Sequence, residues 1–115
     1  KVADKMEVPL IDITKITTKM YESWGEEISR KALVQYPANT FPGQTEKLED
    51  NTHFNSFGAN EICLAFVQEI KDKGVSLQHY FKPNIPTYNP TKPNSISNWT
   101  IPISPRFESI KPYGN

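Results

Sequence analysis

Residues 49–54 read Glu49-Asp50-Asn51-Thr52-His53-Phe54, and they place a carboxylate three residues before an imidazole. In a Ser-His-Asp arrangement the histidine takes the serine proton, while the acid fixes the imidazole tautomer and stabilises the imidazolium that forms. Acid and base usually come from distant loops. An Asp-x-x-His spacing within one turn does the same job locally: it brings the carboxylate back towards Nδ1 and leaves Nε2 facing the nucleophile. The bare pattern arises often by chance and has a second reading, an Asp making an Asx turn before a helix beside a solvent-exposed His.

Other side chains with chemical potential are weaker candidates. Glu49, Asp50, His53 and His79 match no compact zinc spacing, and adjacent carboxylates in an extended chain point apart, so neither a metal nor a cofactor is expected. Cys63 is the one cysteine, which excludes an internal disulfide and a thiolate cluster. Its place on the apolar side of an expected helix points to buried packing. Asp12 reads either as a strand-end catalytic acid or as a helix N-cap. Trp24 reads as core packing in preference to a sugar-stacking platform. Asn98-Trp99-Thr100 is a glycosylation sequon, meaningful only in a eukaryotic secreted protein.

The elements that must position these groups follow from periodicity. Residues 1–7 are polar and helix-compatible, like the last turns of a helix begun upstream. Val8, Leu10 and Ile11 form an apolar run read as a short strand over residues 8–12, of the kind found in a parallel sheet covered on both faces. Ile13, Ile16, Met20 and Trp24 then share a helical face, and Gly25 stops it. A second helical stretch, residues 26–34, carries Ile28, Ala32 and Leu33. Pro37, Pro42 and Gly43 make residues 36–52 a loop. The strongest helix spans about Asn55 to Lys73, with Ala59, Ile62, Cys63, Phe66, Val67 and Ile70 as its apolar stripe. Asn55 or Ser56 caps its start and Gly74 ends it.

The character changes at Lys82. Residues 82–115 hold seven of the ten prolines, enough to make this segment an extended tail rather than a helix or strand. Pro83/Pro86, Pro90/Pro93 and Pro102/Pro105 have PxxP spacing, which also suits a ligand for a proline-binding module. Tyr80, Phe81, Tyr88, Trp99, Ile101, Ile103, Phe107 and Tyr113 suggest instead a tail wrapped over a folded body.

The chain has 115 residues, the size of one small domain, with 13 basic and 13 acidic residues. With neither sign in excess, no nucleic-acid or membrane partner is expected. No apolar run is long enough to span a bilayer. One strand cannot satisfy its own backbone, and a parallel strand needs neighbours joined by crossovers. The expectation is therefore an α/β fold that is the C-terminal part of a larger domain.

The order of motifs sharpens this. The stretch from Asp50 to Ile70, DNTHFNSFGANEICLAFVQEI, resembles the last block of the SGNH (GDSL-type) hydrolases, and most closely the rhamnogalacturonan acetylesterase group. There a DxTHF loop, a nearby Gly-Ala and a terminal helix follow one another; here these are Asp50, Thr52, His53, Phe54, then Gly58 and Ala59. VPLIDIT at residues 8–14 resembles the strand leading into a helix in the same enzymes, and the likeness covers roughly residues 1–79. It implies a C-terminal fragment of a three-layer α/β/α flavodoxin-like domain, with residues 1–81 its C-terminal portion (one strand and the final helices) and residues 82–115 a Pro-rich extended tail. It implies His53 as general base and Asp50 as orienting acid of a secreted or periplasmic serine esterase that deacetylates a pectic polysaccharide such as rhamnogalacturonan. The family's nucleophilic Ser lies in a Gly-Asp-Ser block, and no such block occurs here. The missing N-terminal part of the domain is then a required partner, and the chain alone is expected to be inactive. The alternative is a non-catalytic module binding a partner protein or glycan through its aromatic and Pro-rich tail.

Overall fold

A computed structural model describes residues 1–100 of the chain. The elements run α1 (Val2–Lys5), α2 (Ile13–Lys31), β1 (Leu33–Tyr36), β2 (Leu48–Phe54) and α3 (Ser56–Asp72), followed by 3-10 turns at Ser76–Tyr80 and Ile96–Asn98. The fold is mixed α/β with one small two-stranded sheet.

Helix α2 starts where Asp12 turns its carboxylate back to accept from the Lys15 amide at 2.9 Å, satisfying one of the orphan donors of the first turn. Asp12 thus acts as the N-cap. The stripe expected from the sequence is the one buried: Ile16, Met20 and Trp24 are at most 9% exposed. At Gly25 the backbone takes φ 71°, a left-handed conformation that only glycine adopts cheaply, so the helix kinks there and resumes for one further turn and a half. It ends at Lys31, earlier than expected. Leu33 and Val34 belong to β1 instead, because a short β-branched and aromatic run pairs better than it helices.

The expected strand at Val8–Asp12 does not form. Pro9 has no N–H to donate, and among the described residues no strand lies beside it. Val8 and Leu10 stay 54% and 60% exposed. The parallel sheet expected there is replaced by the antiparallel pair β1–β2. Strand β2 lies in a stretch expected to be loop. Between Leu48 and Phe54 its residues are polar, and almost all of the strand is exposed, so no period-two burial pattern marks it in the sequence.

Helix α3 begins and ends close to expectation, with Asn55 as its N-cap, but it is rolled about its axis. Phe57, Gly58, Glu61 and Ala65 face inward. Cys63, expected to be buried, is exposed, and Phe66 is 38% exposed. The roll has two causes. Gly58 is pressed against Ala32, where a Cβ would overlap the Ala32 carbonyl oxygen. The Glu61 carboxylate is also fully buried and fully used. Its Oε2 accepts from the Tyr88 hydroxyl and the Asn94 amide, each at 2.9 Å, and its Oε1 accepts from the Asn94 side-chain amide at 2.9 Å. A buried carboxylate with this many donors is tolerated, whereas an unpaired one is not.

These bonds tie the described part of the tail to the body. Tyr88 is 7% exposed, and its amide donates to Gln68 Oε1 at 3.0 Å. Burial, then the hydrogen bond to Glu61 and its charge, hold the Tyr88 hydroxyl well above the usual phenol range, so it stays a donor. Trp24 donates through Nε1 to the Asn94 carbonyl at 3.3 Å, and its ring packs against Phe57 at a tilt of 37°, with centroids 5.4 Å apart. Trp99 meets the other side of this cluster edge-on, 5.7 Å from Phe57. Tyr88, Asn94 and Trp99 thus pack against α2 and α3, whereas Tyr80, expected among the covering residues, is 86% exposed. The Pro102/Pro105 pair and Ile101, Ile103, Phe107 and Tyr113 lie outside the described residues.

Two substitutions test this packing. Gly58→Ala forces Ala32 and α3 apart and should cost about 2 kcal/mol or more of unfolding free energy; an unchanged denaturant midpoint would show that the two backbones are not in contact. Glu61→Ala leaves the Tyr88 and Asn94 donors buried and unpaired and should cost about 2–4 kcal/mol. Tyr88→Phe leaves the Asn94 bonds intact and should cost about 1 kcal/mol, and the double variant should fall short of the sum.

Candidate active site

Asp50 and His53 both lie on β2, where the ladder with β1 is interrupted. Leu33 pairs with Phe54 and Gln35 with Glu49, so the single residue Val34 stands opposite the four residues Asp50–His53. The surplus is expelled as a bulge, which breaks side-chain alternation and turns residues 50–53 out of the sheet. Gln35 Nε2 donates across the strands to Asn51 Oδ1 and pins the bulge to β1.

Inside the bulge the Asp50 carboxylate organises the turn. Its Oδ1 accepts from the Thr52 amide at 2.7 Å and the His53 amide at 3.0 Å, the Asx-turn pattern. The same oxygen accepts from the Thr52 hydroxyl at 2.7 Å. Oδ2 is left for the imidazole and lies 2.6 Å from His53 Nδ1. The Asx turn is therefore the device that sets the carboxylate against the histidine.

The electrostatics agree with the geometry. The Thr52 hydroxyl, then the Thr52 and His53 amides, then the His53 ring hold the Asp50 carboxyl well below its ordinary value of 3.8. An ionised carboxylate only accepts, so the proton of a neutral His53 sits on Nδ1 and Nε2 carries the lone pair. The His53 side chain is 78% exposed and that of Asp50 35%. Among the described residues Nε2 has no hydrogen-bond partner and points to open surface.

The remaining candidates are not gathered here. Asp12 caps α2, and Trp24 packs in the core. His79 lies in the Ser76–Tyr80 turn. Among the described residues no group of three or more His, Cys, Asp or Glu converges on a point that could hold a metal ion. A depression of about 370 Å³ lies beside the bulge, lined by Lys31, Tyr36, Asn55, Phe57 and Trp99 among others, but neither Asp50 nor His53 lines it. Sequence reasoning missed Glu61 as a structural anchor, because a lone Glu in a helix reads as solvent-facing. It matched Thr52 to the DxTHF loop but gave no role to its hydroxyl, which sits between the two members of the pair.

A depressed carboxyl binds fewer protons in the folded chain than in the unfolded one, so Asp50 stabilises the fold above the ordinary carboxylate midpoint, and that contribution is lost as pH falls through the depressed value. The side-chain carbon resonance of Asp50 should therefore report an ionised group at a pH where a free Asp is half protonated. Asp50→Asn should flatten the acid limb of stability against pH. An ordinary titration midpoint for Asp50 would show that the turn does not hold the carboxylate.

Compared with known proteins, the chain is 33% identical over 78 residues to rhamnogalacturonan acetylesterase RhgT of Bacillus subtilis (strain 168), a match over 68% of this chain and 34% of that protein. The chain thus spans about a third of the length of the curated relative it matches. No protein-family model matches it, and no solved structure matches with significance. The similarity is to a hydrolase, by name an esterase acting on a carbohydrate.

Proposed function

We propose that this chain is the base-carrying part of an SGNH-type serine esterase that removes acetyl groups from a pectic polysaccharide such as rhamnogalacturonan. The observation that carries the reading is the Asp50–His53 contact at 2.6 Å, on a His53 side chain that is 78% exposed and whose Nε2 has no partner among the described residues. His53 acts as general base through Nε2, taking the proton from a serine hydroxyl, and Asp50 holds the tautomer and stabilises the imidazolium. His53 then returns the proton to the departing sugar oxygen, and in the second half-reaction it activates water. The substrate class rests on the similarity to the acetylesterase relative alone.

The nucleophile and the oxyanion donors belong, on this reading, to a preceding part of the same domain. Two surfaces support such a partner. Val8 and Leu10 form an exposed apolar run with nothing paired to it, and α3 carries a second apolar edge at Ala59, Cys63 and Phe66, both left uncovered among the described residues. A sheet supplied by the rest of the domain would cover both, with residues 8–12 as one of its strands and three layers as the result. Secretion to the exterior or the periplasm fits a polymeric substrate that cannot enter a cell. A base without a nucleophile forms no acyl-enzyme, so the 115-residue chain by itself should release no acetate.

The test is acetate release from acetylated rhamnogalacturonan by the full-length protein. His53→Ala should lower kcat by about 10⁴-fold or more, and Asp50→Asn, which offers Nδ1 the wrong partner, by about 10³- to 10⁴-fold, with KM little changed. Undiminished turnover in both variants would remove the pair from the mechanism. Acetate release by the 115-residue chain alone, abolished by His53→Ala, would place the nucleophile within these residues.

A further inference from the structure

The Thr52 hydroxyl stands between the two side chains of the pair, and its single proton can go to only one of them. Oγ1 lies 2.7 Å from Asp50 Oδ1 and 3.1 Å from His53 Nδ1. An ionised carboxylate oxygen cannot donate, so the bond to Asp50 consumes the Thr52 proton. Oγ1 then presents only lone pairs to the imidazole. Nδ1 is left facing two acceptors, Thr52 Oγ1 and Asp50 Oδ2 at 2.6 Å. The arrangement is satisfied only if Nδ1 carries a hydrogen, and the other tautomer would set three lone pairs against one another.

We propose that Thr52 is a positioning residue of this site: its hydroxyl clamps Oδ1 of Asp50, turns Oδ2 towards the ring, and excludes the His53 tautomer protonated on Nε2. The proposal rests on the reading of His53 as general base, and it adds a third residue to the pair. The clamp is local. The neighbouring charges on the strand, Lys47 and Glu49, pair with each other at 2.8 Å, and the opposite strand, Leu33–Tyr36, brings no Asp, Glu, Lys, Arg or His. Among the described residues His53 is the one ionisable partner within ion-pairing distance of Asp50. The Thr52 and His53 amides stay bound to Oδ1 whatever side chain follows, so the hydroxyl is the removable part. Its loss should weaken the clamp without dissolving the turn.

The test compares Thr52→Val, which keeps the shape and loses the hydroxyl, with Thr52→Ser, which keeps the hydroxyl and loses the methyl, both in the full-length protein. Three quantities are followed: the protonation midpoint of Asp50 from its carboxyl carbon shift, the His53 tautomer from its ring nitrogen shifts, and acetate release. Thr52→Val should raise the Asp50 midpoint towards the ordinary value, admit the Nε2–H tautomer, and lower kcat about 10- to 100-fold at unchanged KM, while Thr52→Ser keeps wild-type behaviour in all three. Thr52→Ala should behave as Thr52→Val does and serves if valine perturbs folding. An Asp50 midpoint and tautomer unmoved in both Thr52→Val and Thr52→Ala would overturn the proposal. So would a moved midpoint with kcat intact while His53→Ala is inactive. Full activity in His53→Ala sinks the catalytic reading instead, and the Asp50 midpoint then still decides whether Thr52 holds the carboxylate.

Discussion

The structure turns on the close approach of two backbones, Ala32 at the end of α2 and Gly58 in the first turn of α3. No side chain fits between them. Asn55 locks the contact from both directions. Its amide donates to the Ala32 carbonyl at 3.1 Å, its side-chain nitrogen donates to the carbonyls of Lys31 and Leu33 at 2.6 and 3.0 Å, and its side-chain oxygen caps α3 through the Gly58 amide at 3.0 Å. One residue thus closes the C-terminus of one helix, opens another, and fixes the start of β1. Each of these groups would otherwise be an orphan at a helix end or a strand end.

Both the Asp50–His53 turn and the path of the tail follow from this junction. With Ala32 and Asn55 tied together, Leu33 and Phe54 must pair, and everything between them has to be accommodated as a ribbon. The four residues Asp50–His53 do not fit opposite Val34, so they are expelled as a turn at a fixed distance from the start of α3. The same junction sets the roll of α3, because pressing Gly58 onto Ala32 sends Glu61 and Ala65 inward after it at helical spacing. Glu61 then needs donors, and the tail supplies them from Tyr88 and Asn94. A glycine that permits a backbone contact therefore determines where the Pro-rich segment crosses the body.

The parts of this legible in the sequence are those governed by local rules. The stripe Ile16, Met20 and Trp24, the Asn55 cap, the Gly25 break and the turn chemistry of Asp50 all depend on residues within a few positions of one another. The parts that were not legible depend on distant partners. Hydropathy puts Cys63 and Phe66 inside and gives no place to Glu61, because a contact between Gly58 and Ala32 and a carboxylate satisfied from 27 residues downstream leave no trace in periodicity. The apolar run Val8–Asp12 stays unpaired for a related reason: a strand is a property of a pair, and none of the described residues offers the other half.

The same division between local and distant bears on the chemistry. Orienting an imidazole needs a carboxylate at Nδ1, and an Asx turn achieves that within four residues, so the hydrogen bonds that join Asp50, Thr52 and His53 are all internal to an exposed bulge. Accepting a proton from a nucleophile is a different requirement, since Nε2 must come within hydrogen-bond reach of a hydroxyl whose own attack geometry is fixed elsewhere. An open surface also weakens each electrostatic interaction made there, because water screens it. On the proposed reading, the protein that completes the site must therefore do two things at once. It brings a serine to the exposed face of His53, and it excludes water from a hydrogen-bonded turn whose internal geometry is already set.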